Sequence, residues 1–499
     1  MPTDPGSYAG RRATVMGLGR FGGGVGVARF LVERGAHVLV TDTAPAADLA
    51  DSVAKLADLE PGHPSGGTLT YRLGGHDKAD FTGPDLLVVN PAVKPGNPYV
   101  AAARAAGVPV TSEIRLLARH LPNRLKTIGI TGTAGKSTTT AMTAHILRKV
   151  LCQPGETPYG GHMQRQIESP GVWMGGNLGG SLLPAVDLIR DDDWVVLELS
   201  SFMLEGLRED RWSPHIAVIT NISPNHLDWH GSMENYVAAK QAILEFQQHD
   251  DIAYVGESFN EALGVETGSA ARSYVGWKSG NAECYRHVLA PREEDVVLRL
   301  SIPGWHNQLN AVFASHVGEE VLSRGPGNSC TEGVNLQLQI MGAIESFAGL
   351  PHRLERVGQF LGVEVFNDSK STTPEATELV VWAFPPRRVR LILGGYDKGA
   401  RFDNTAEFVA IRCASAYTIG ATGNNIAEQI RAHSGVVTCC QSLEVAVPTA
   451  LQDAKPGDVL VLSPGCASWD QFANYEERGE RFVELVQQHA AAKQKKPTD

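Results

Sequence analysis

The sequence is short of several things, and each shortage removes a class of function. Cysteine is one: Cys152, Cys284, Cys330, Cys413, Cys439, Cys440 and Cys466 are scattered over 499 positions with no C-x-x-C among them. An odd, dispersed set fits neither a disulfide framework nor a zinc knuckle, so reduced thiols are expected, with Cys439-Cys440 as neighbours in a short strand. Positive charge is also scarce. Lys and Arg number 44 against 55 Asp and Glu, a formal net charge of −11, so no global positive field exists to hold nucleic acid or an anionic membrane. Long apolar runs are missing: no stretch reaches the ~18 residues of a membrane span, and Met1 to Arg12 has no apolar leader core. A cytoplasmic protein with no membrane span and no nucleic-acid partner is expected. What the chain has in plenty is glycine, 53 residues, about half again the usual share of roughly 7%. That is too few for a fibrous repeat but enough for many tight turns.

The length predicts about three domains at roughly 150 residues each, and short apolar strands alternating with helical stretches predict α/β units with parallel sheets. The first unit reads as strand Ala13 to Met16, helix Gly22 to Arg34, strands His37 to Thr41 and Asp85 to Asn90, an Ala-rich helix Ala101 to Ala106 and a strand Val108 to Val110. A second starts near Glu113, with strands Thr127 to Ile130, Trp194 to Leu199 and Ile216 to Asn221, and an exposed Gly/Pro/polar loop from Pro154 to Gly171. A third starts near Leu350, with strands Val363 to Phe366, Arg390 to Leu393, Ala416 to Ile419 and Val459 to Leu462, and a polar tail after Gln487 expected to fray.

Two glycine clusters carry chemistry. Gly17-Leu18-Gly19-Arg20-Phe21-Gly22 matches G-x-G-x-x-G between a strand and a helix, and Asp42 closes the next strand, placed to accept from a ribose hydroxyl. Alone this reads as an NAD site; a UDP-sugar, or a purely structural turn, is equally admissible. Thr131 to Thr138, reading T-G-T-A-G-K-S-T, joins the strand Ile128 to Ile130 to a helix through Lys149. Its backbone N–H groups suit a phosphate cradle, Lys136 a point charge and the Ser137 hydroxyl Mg²⁺, although only two residues separate Gly132 from Gly135. ATP is the expected ligand. Glu198 closes the strand Trp194 to Leu197, and His226 follows the next strand within Asn221 to Asp228; both fall where parallel sheets place ligands, so a metal role competes with a structural one. By spacing alone Lys240 is an exposed helical lysine.

Taken together, these strings resemble the Mur ligase family, the ATP-dependent amide-forming ligases of cell-wall precursor synthesis. The resemblance adds Gly175 to Gly179, E-L-S-S-F at Glu198 to Phe202, Tyr236 to Lys240, G-W-H-N-Q-L-N at Gly304 to Asn310, and L-P-H-R-L-E at Leu350 to Glu355. It continues through N-D-S-K-S-T at Asn367 to Thr372, Leu393 to Lys398, and Leu462 to Phe472, and so spans nearly the whole chain. The last string, with Arg478-Gly479 after it, favours the glutamate-adding branch. The resemblance implies an α/β chain of three domains in series: a Rossmann-like UDP-substrate domain over 1–112, a P-loop-type ATPase sheet over 113–349 and a Rossmann-like amino-acid domain over 350–499.

It implies residue roles as well. Gly132, Thr133, Gly135, Lys136, Ser137 and Thr138 would cradle ATP, with Asn307 and Asn310 at adenine and Arg353, Asp368 and Lys370 where the third domain meets the nucleotide. Ser137, Glu198, His226 and Lys240, the last as a carbamate, would serve two Mg²⁺ ions. Gly19, Arg20, Phe21, Asp42, Thr43, Asn90, Pro91, Asn177 and Ser200 would hold UDP-N-acetylmuramoyl-L-alanine, and Thr372, Lys398, Ser468, Trp469 and Tyr475 the glutamate. Lys136, His226, Lys240 and Lys370 are the implied catalytic set, and a monomer is expected. The chain departs from the family pattern at Ala134, Asn225 and Tyr475, where asparagine, aspartate and phenylalanine are usual. Alternatives are a Mur-type ligase with another amino acid or acceptor, an NAD-dependent oxidoreductase built on the first glycine cluster, and a non-catalytic nucleotide-binding homologue.

Overall fold

The computed structural model describes residues 8–19, 22–59, 63–91, 93–94, 96–151, 170–256, 271–275, 298–323, 332–360 and 362–494. The chain divides into two compact units, the first Met1–Val296 with Asn310–Ala343, the second Val297–Leu309 with Ile344–Asp499.

The first unit carries two parallel sheets. Strands β1 Arg12–Met16, β2 His37–Asp42, β3 Thr68–Leu73, β4 Leu86–Val89 and β5 Val110–Ser112 run in the order β3-β2-β1-β4-β5. Order reverses between β1 and β4, which leaves a crevice beyond their carboxyl ends, where ligands bind in open α/β sheets. The last strand begins at Val110, later than its apolar residues suggest, because Pro109 has no N–H to give the ladder; its carbonyl instead accepts from Leu87 at 2.9 Å. The second sheet is β11-β10-β9-β6-β8-β7, built from β6 Thr127–Thr131, β7 Val172–Gly176, β8 Trp194–Glu198, β9 Ile216–Ile219, β10 Ile252–Gly256 and β11 Ala271–Val275. Every residue of β6, β8 and β9 is buried, as expected for central parallel strands covered on both faces.

One apolar core runs through both sheets. It includes Phe30 and Leu31 of the helix Gly23–Glu33, Leu116 and Leu117 of the helix Glu113–His120, Leu183 and Val186 of a short 3₁₀ segment, and Leu197 and Ile219 of the second sheet. Arg115 reinforces the junction. Its guanidinium donates to Asp210 at 2.9 and 2.7 Å, to Glu209 at 2.6 Å and to the Val110 carbonyl at 3.1 Å.

The second unit holds a mixed sheet, β12-β13-β17-β14-β15-β16, from β12 Glu355–Phe360, β13 Val363–Asn367, β14 Val389–Gly394, β15 Ser415–Ile419, β16 Val437–Gln441 and β17 Val459–Leu462. All neighbours pair parallel except β12 with β13, which makes an antiparallel edge on an otherwise Rossmann-like sheet. Cys439 and Cys440 lie in β16. The tail does not fray at Gln487: the helix Tyr475–Gln494 continues through it, because its alanine run propagates helix well and Ala490 is buried. Of the Pro154 to Gly171 segment, residues 154–169 lie outside the described residues. Among the described residues no helix is long and apolar enough to cross a membrane.

Candidate active site

At the edge of the first sheet, Gly17 and Gly19 take φ of +92° and +65°, and a Cβ on Gly24 would stand 2.4 Å from the Leu18 carbonyl oxygen. Glycine there lets the helix Gly23–Glu33 seat its backbone directly on the turn. Asp42 fixes that turn: one carboxylate oxygen accepts from the N–H groups of Leu18 at 2.9 Å and Gly19 at 3.2 Å, the other from Ala44 at 2.9 Å. Thr43 is exposed beside it, and Asn90, donating its N–H to Met16 at 3.0 Å, packs its side chain against Gly17. Arg20 and Phe21 lie outside the described residues.

The ATP-type loop follows β6. Gly132 has φ +148°, and a Cβ there would fall 1.9 Å from Thr220 Oγ1; at Gly135, φ +81°, a Cβ would fall 2.3 Å from Asn310 Oδ1. The loop is thus clamped from two sides, with Thr133 Oγ1 3.0 Å from the Tyr236 hydroxyl. Lys136 opens the helix Lys136–Leu151 and turns its Nζ back onto the carbonyls of Gly132 and Thr133, both at 2.9 Å. Ser137 and Thr138 are buried at the helix start, and Asn310 Oδ1 accepts from Thr139 at 3.3 Å. Asn307 belongs to the second unit, where its side chain donates to the Pro303 carbonyl at 2.7 Å.

Glu198, at the carboxyl end of β8, is 1% exposed. Its Oε1 accepts from Asn177 Nδ2 at 3.0 Å, while Oε2 is buried with no hydrogen-bond partner among the described residues. Lys240 is 2% exposed, which corrects the expectation of a solvated helical lysine: the helix Met233–Glu245 turns that face onto the ATP loop. Its Nζ donates to Gly132 O at 2.8 Å and Thr131 Oγ1 at 3.4 Å, and lies 4.8 Å from the Tyr236 ring centroid. Burial first, then the charge of Lys136, pushes this amine down to about 6, against the pull of Glu198. His226, in a left-handed turn with φ +52°, is pushed below the usual imidazole range by desolvation and by the Lys136 and Lys240 charges. Ser200 caps the helix Ser201–Glu209, its Oγ accepting from Met203 N–H at 3.3 Å.

Part of this set shares one cavity of about 480 Å³, lined by Gly19, Asn90 and Pro91, by Lys136, His226 and Lys240, and by Asn177 and Ser200, whereas Glu198, Gly132 and Ser137 do not line it. Asp42 and Thr43 do not line it. Lining residues outside the sequence-derived site set include Phe202, Tyr236, Ser181 and Glu113, whose carboxylate accepts from Ser181 Oγ at 2.8 Å and is pushed up to about 7 by burial. Tyr236 and Phe202 lay within quoted strings, but nothing local marks Glu113 and Ser181, which tertiary packing brings together. The buried, unpartnered Glu198 oxygen is of the donor type that suits a hard cation such as Mg²⁺. No group of three His, Cys, Asp or Glu side chains gathers there among the described residues.

In the second unit the remaining candidates gather at the carboxyl ends of β13, β14 and β17. Asp368 is buried, accepting from Leu354 N–H at 3.0 Å and Ser463 Oγ at 2.8 Å, and burial pushes it up to about 6. Lys370 Nζ lies 5.1 Å from the Tyr475 ring centroid, and its N–H donates to the His352 carbonyl at 3.0 Å, beside Arg353. Ser468 is buried; Thr372 is half-buried. Lys398 stands over the exposed ring of Trp469. Arg478 is buried and ties two of these loops together, donating to Ser369 Oγ at 3.0 Å, Ser369 O at 2.8 Å and Cys466 O at 3.0 Å.

Comparison with known proteins gives three family matches in chain order. Residues 11–112 match the Mur ligase MurD-like N-terminal domain, 130–318 the Mur ligase middle domain, and 352–466 the Mur ligase glutamate ligase domain. The chain is 36% identical to the UDP-N-acetylmuramoylalanine–D-glutamate ligase of Acidobacterium capsulatum over 97% of both chains. It is also 36% identical to the same-named protein of Koribacter versatilis, over 97% of this chain and 99% of that one. In fold it is similar to the MurC ligase of Thermotoga maritima (TM-score 0.55, 20% identity, 96% and 99% coverage) and to the MurF ligase of that organism in complex with ADP (TM-score 0.56, 13% identity, 97% and 99% coverage).

Proposed function

We infer the reaction from one premise: the chain belongs to the Mur ligase family. It is an ATP-dependent amide ligase that adds D-glutamate to UDP-N-acetylmuramoyl-L-alanine in peptidoglycan precursor synthesis. The observation that carries the site assignment is the single cavity in which the glycine turn of the first sheet faces Lys136, His226 and Lys240 of the second. A carboxylate and an amine do not condense at neutral pH, so the acceptor carboxylate takes the γ-phosphoryl group of ATP, and the glutamate amine then displaces phosphate from the acyl phosphate, leaving ADP.

The Gly132–Thr138 backbone cradles the phosphates, and the Lys136 ammonium swings from the Gly132 and Thr133 carbonyls to the charge that builds on the transferring group. Ser137, Glu198, His226 and a carbamylated Lys240 hold two Mg²⁺, which when bound neutralise phosphate charge. Asn307, Asn310, Arg353 and Asp368 complete the nucleotide site, with Lys370 serving the reacting group. Gly19, Arg20, Phe21, Asp42, Thr43, Asn90 and Pro91 hold the UDP end of the acceptor, Asp42 by shaping the turn, and Asn177 and Ser200 orient the other end. Thr372, Lys398, Ser468, Trp469 and Tyr475 receive glutamate, a dianion in its side-chain and α-carboxylates for which Lys398 is the counter-charge. The work divides among segments 1–112, 113–349 and 350–499 of a cytoplasmic monomer.

The test is ADP release with UDP-N-acetylmuramoyl-L-alanine and each glutamate enantiomer. Release that needs D-glutamate and is lost in Lys136→Ala is expected. Release that ignores glutamate, or that answers to lysine or diaminopimelate instead, sinks the assignment.

A further inference from the structure

Lys398 follows β14, and Trp469 lies in the loop after β17. The two loops are pinned together where the Tyr396 N–H donates to the Ala467 carbonyl at 2.9 Å, and the first is also tied to the loop after β15, the Gly395 N–H donating to Thr422 Oγ1 at 3.0 Å. Gly395 has φ +152°, and a Cβ there would sit 2.4 Å from the Ala467 oxygen, so the two backbones touch with no side chain between them. This apposition sets the Tyr396 and Trp469 rings against each other in a tilted pair, centroids 5.6 Å apart and planes at 59°. Both rings face water, Tyr396 42% and Trp469 61% exposed. Large aromatics are seldom left so open in pairs without a surface to recognise.

Over the Trp469 ring, 4.4 Å from its centroid, stands the Lys398 ammonium. The carboxylates nearest in sequence are turned elsewhere. Asp397 accepts from the Gly399 N–H at 2.7 Å, and Asp470 from the Ala421 N–H at 2.9 Å. Among the described residues no carboxylate comes within ion-pair distance of Lys398. An aromatic face attracts a cation without neutralising it and far more weakly than a carboxylate does, so the ammonium is held in place yet ready for an incoming anion.

Resting on the reading of this loop cluster as the glutamate pocket, we propose that the Tyr396–Trp469 pair is a positioning element that holds the Lys398 ammonium for a carboxylate of glutamate and so sets the affinity for that substrate. Trp469 touches the ammonium and Tyr396 packs against Trp469. Loss of the pair therefore acts on the KM for glutamate and spares kcat and the KM values for ATP and the UDP-linked acceptor.

The experiment is steady-state kinetics on full-length wild type, Trp469→Leu, Trp469→Phe, Lys398→Met and the Lys398→Met/Trp469→Leu double variant. An exposed cation–π contact corresponds to about a two- to fivefold change in affinity. Trp469→Leu is expected to raise the KM for D-glutamate by that factor, and Trp469→Phe to recover part of it. The double variant is expected to be no worse than Lys398→Met alone. Glutamate is also expected to change the indole emission of wild type but not of Trp469→Phe, as a carboxylate arrives at the ammonium held over the ring. An unchanged KM in Trp469→Leu, or a double variant in which the two losses multiply, overturns the proposal. An unchanged glutamate KM in Lys398→Met overturns the pocket reading beneath it, a separate result.

Discussion

Replacing Gly132 by alanine is expected to disable the ATP loop while leaving the sheet beneath it folded. Two costs arise at this position. The backbone φ of +148° belongs to a region that costs an L side chain roughly 1–3 kcal/mol. The new Cβ would also stand 1.9 Å from Thr220 Oγ1. That hydroxyl cannot simply step aside, because it donates to the carbonyls of Ala134 at 2.6 Å and Thr131 at 3.3 Å, and each such bond is worth about 0.5–1.5 kcal/mol. The one hydroxyl proton is shared by both carbonyls and so counts as one bond, and together these give roughly 1.5–4.5 kcal/mol, or about 10- to 2,000-fold in kcat/KM for ATP where the strain is released by moving the loop. The assay is ATP-dependent ADP release alongside thermal melting, the latter to show that the first unit stays folded. Thr220→Ala separates the two costs, since it removes the oxygen and leaves a Cβ 3.2 Å from the new methyl. In the double variant the lost Thr220 bonds count once rather than twice, so its activity is expected to exceed the product of the two single-variant relative activities at least about threefold. A Gly132→Ala protein that uses ATP within threefold of wild type, or a double variant whose effects simply multiply, refutes the argument.

Three further outcomes follow from the buried charged groups. Lys240, with its amine pushed down to about 6, is neutral and nucleophilic at pH 7.5, so labelled bicarbonate is expected to give a carbamate signal by NMR that is absent in Lys240→Arg, and depletion of carbon dioxide to lower the rate. Glu113, raised from 4.5 to about 7, keeps its proton in the fold longer than in the unfolded chain. Its contribution is therefore full below about pH 4.5 and lost as pH rises through 7, so the melting temperature of Glu113→Gln relative to wild type is expected to climb across that window; a flat difference refutes the reading. Arg478→Met is expected to destabilise the second unit by about 2–4 kcal/mol in urea titration, since the Ser369 and Cys466 carbonyls lose a buried donor.

The elements legible in the sequence are those whose signal is local. The strands β1, β6, β8, β14 and β17 announce themselves as apolar runs because parallel strands covered on both faces need them. β3, with T-L-T-Y-R-L, and β12, with E-R-V-G-Q-F, are sheet edges that carry polar side chains, and no run marks them. The ATP loop is legible for the same reason as the central strands, since its glycines and Lys136 lie within a few residues of one another. Lys240 is not: helical spacing places it on a surface, and only the packing of its helix against Gly132 makes it a buried amine. Glu113 and Ser181 meet across 68 positions, a distance at which pattern carries no information. The family resemblance reached Lys240 by its string, and it had no string for the Glu113 pair.

The core that joins the first two sheets bears on how such a chain can be recombined. Helix Glu113–His120 faces both the first-sheet helix and the Ser201–Glu209 helix, and Arg115 binds Val110 on one side and Asp210 on the other. A chimaera spliced after Ser112 to import another acceptor-binding segment would sever this seam through its centre. One that also carries residues 113–120, with Leu183–Leu188, Glu209 and Asp210 matched to the donor, would inherit the seam whole. The first sheet of this chain is therefore not a detachable cartridge; its heritable unit extends into the helix Glu113–His120 and the segments that grip it.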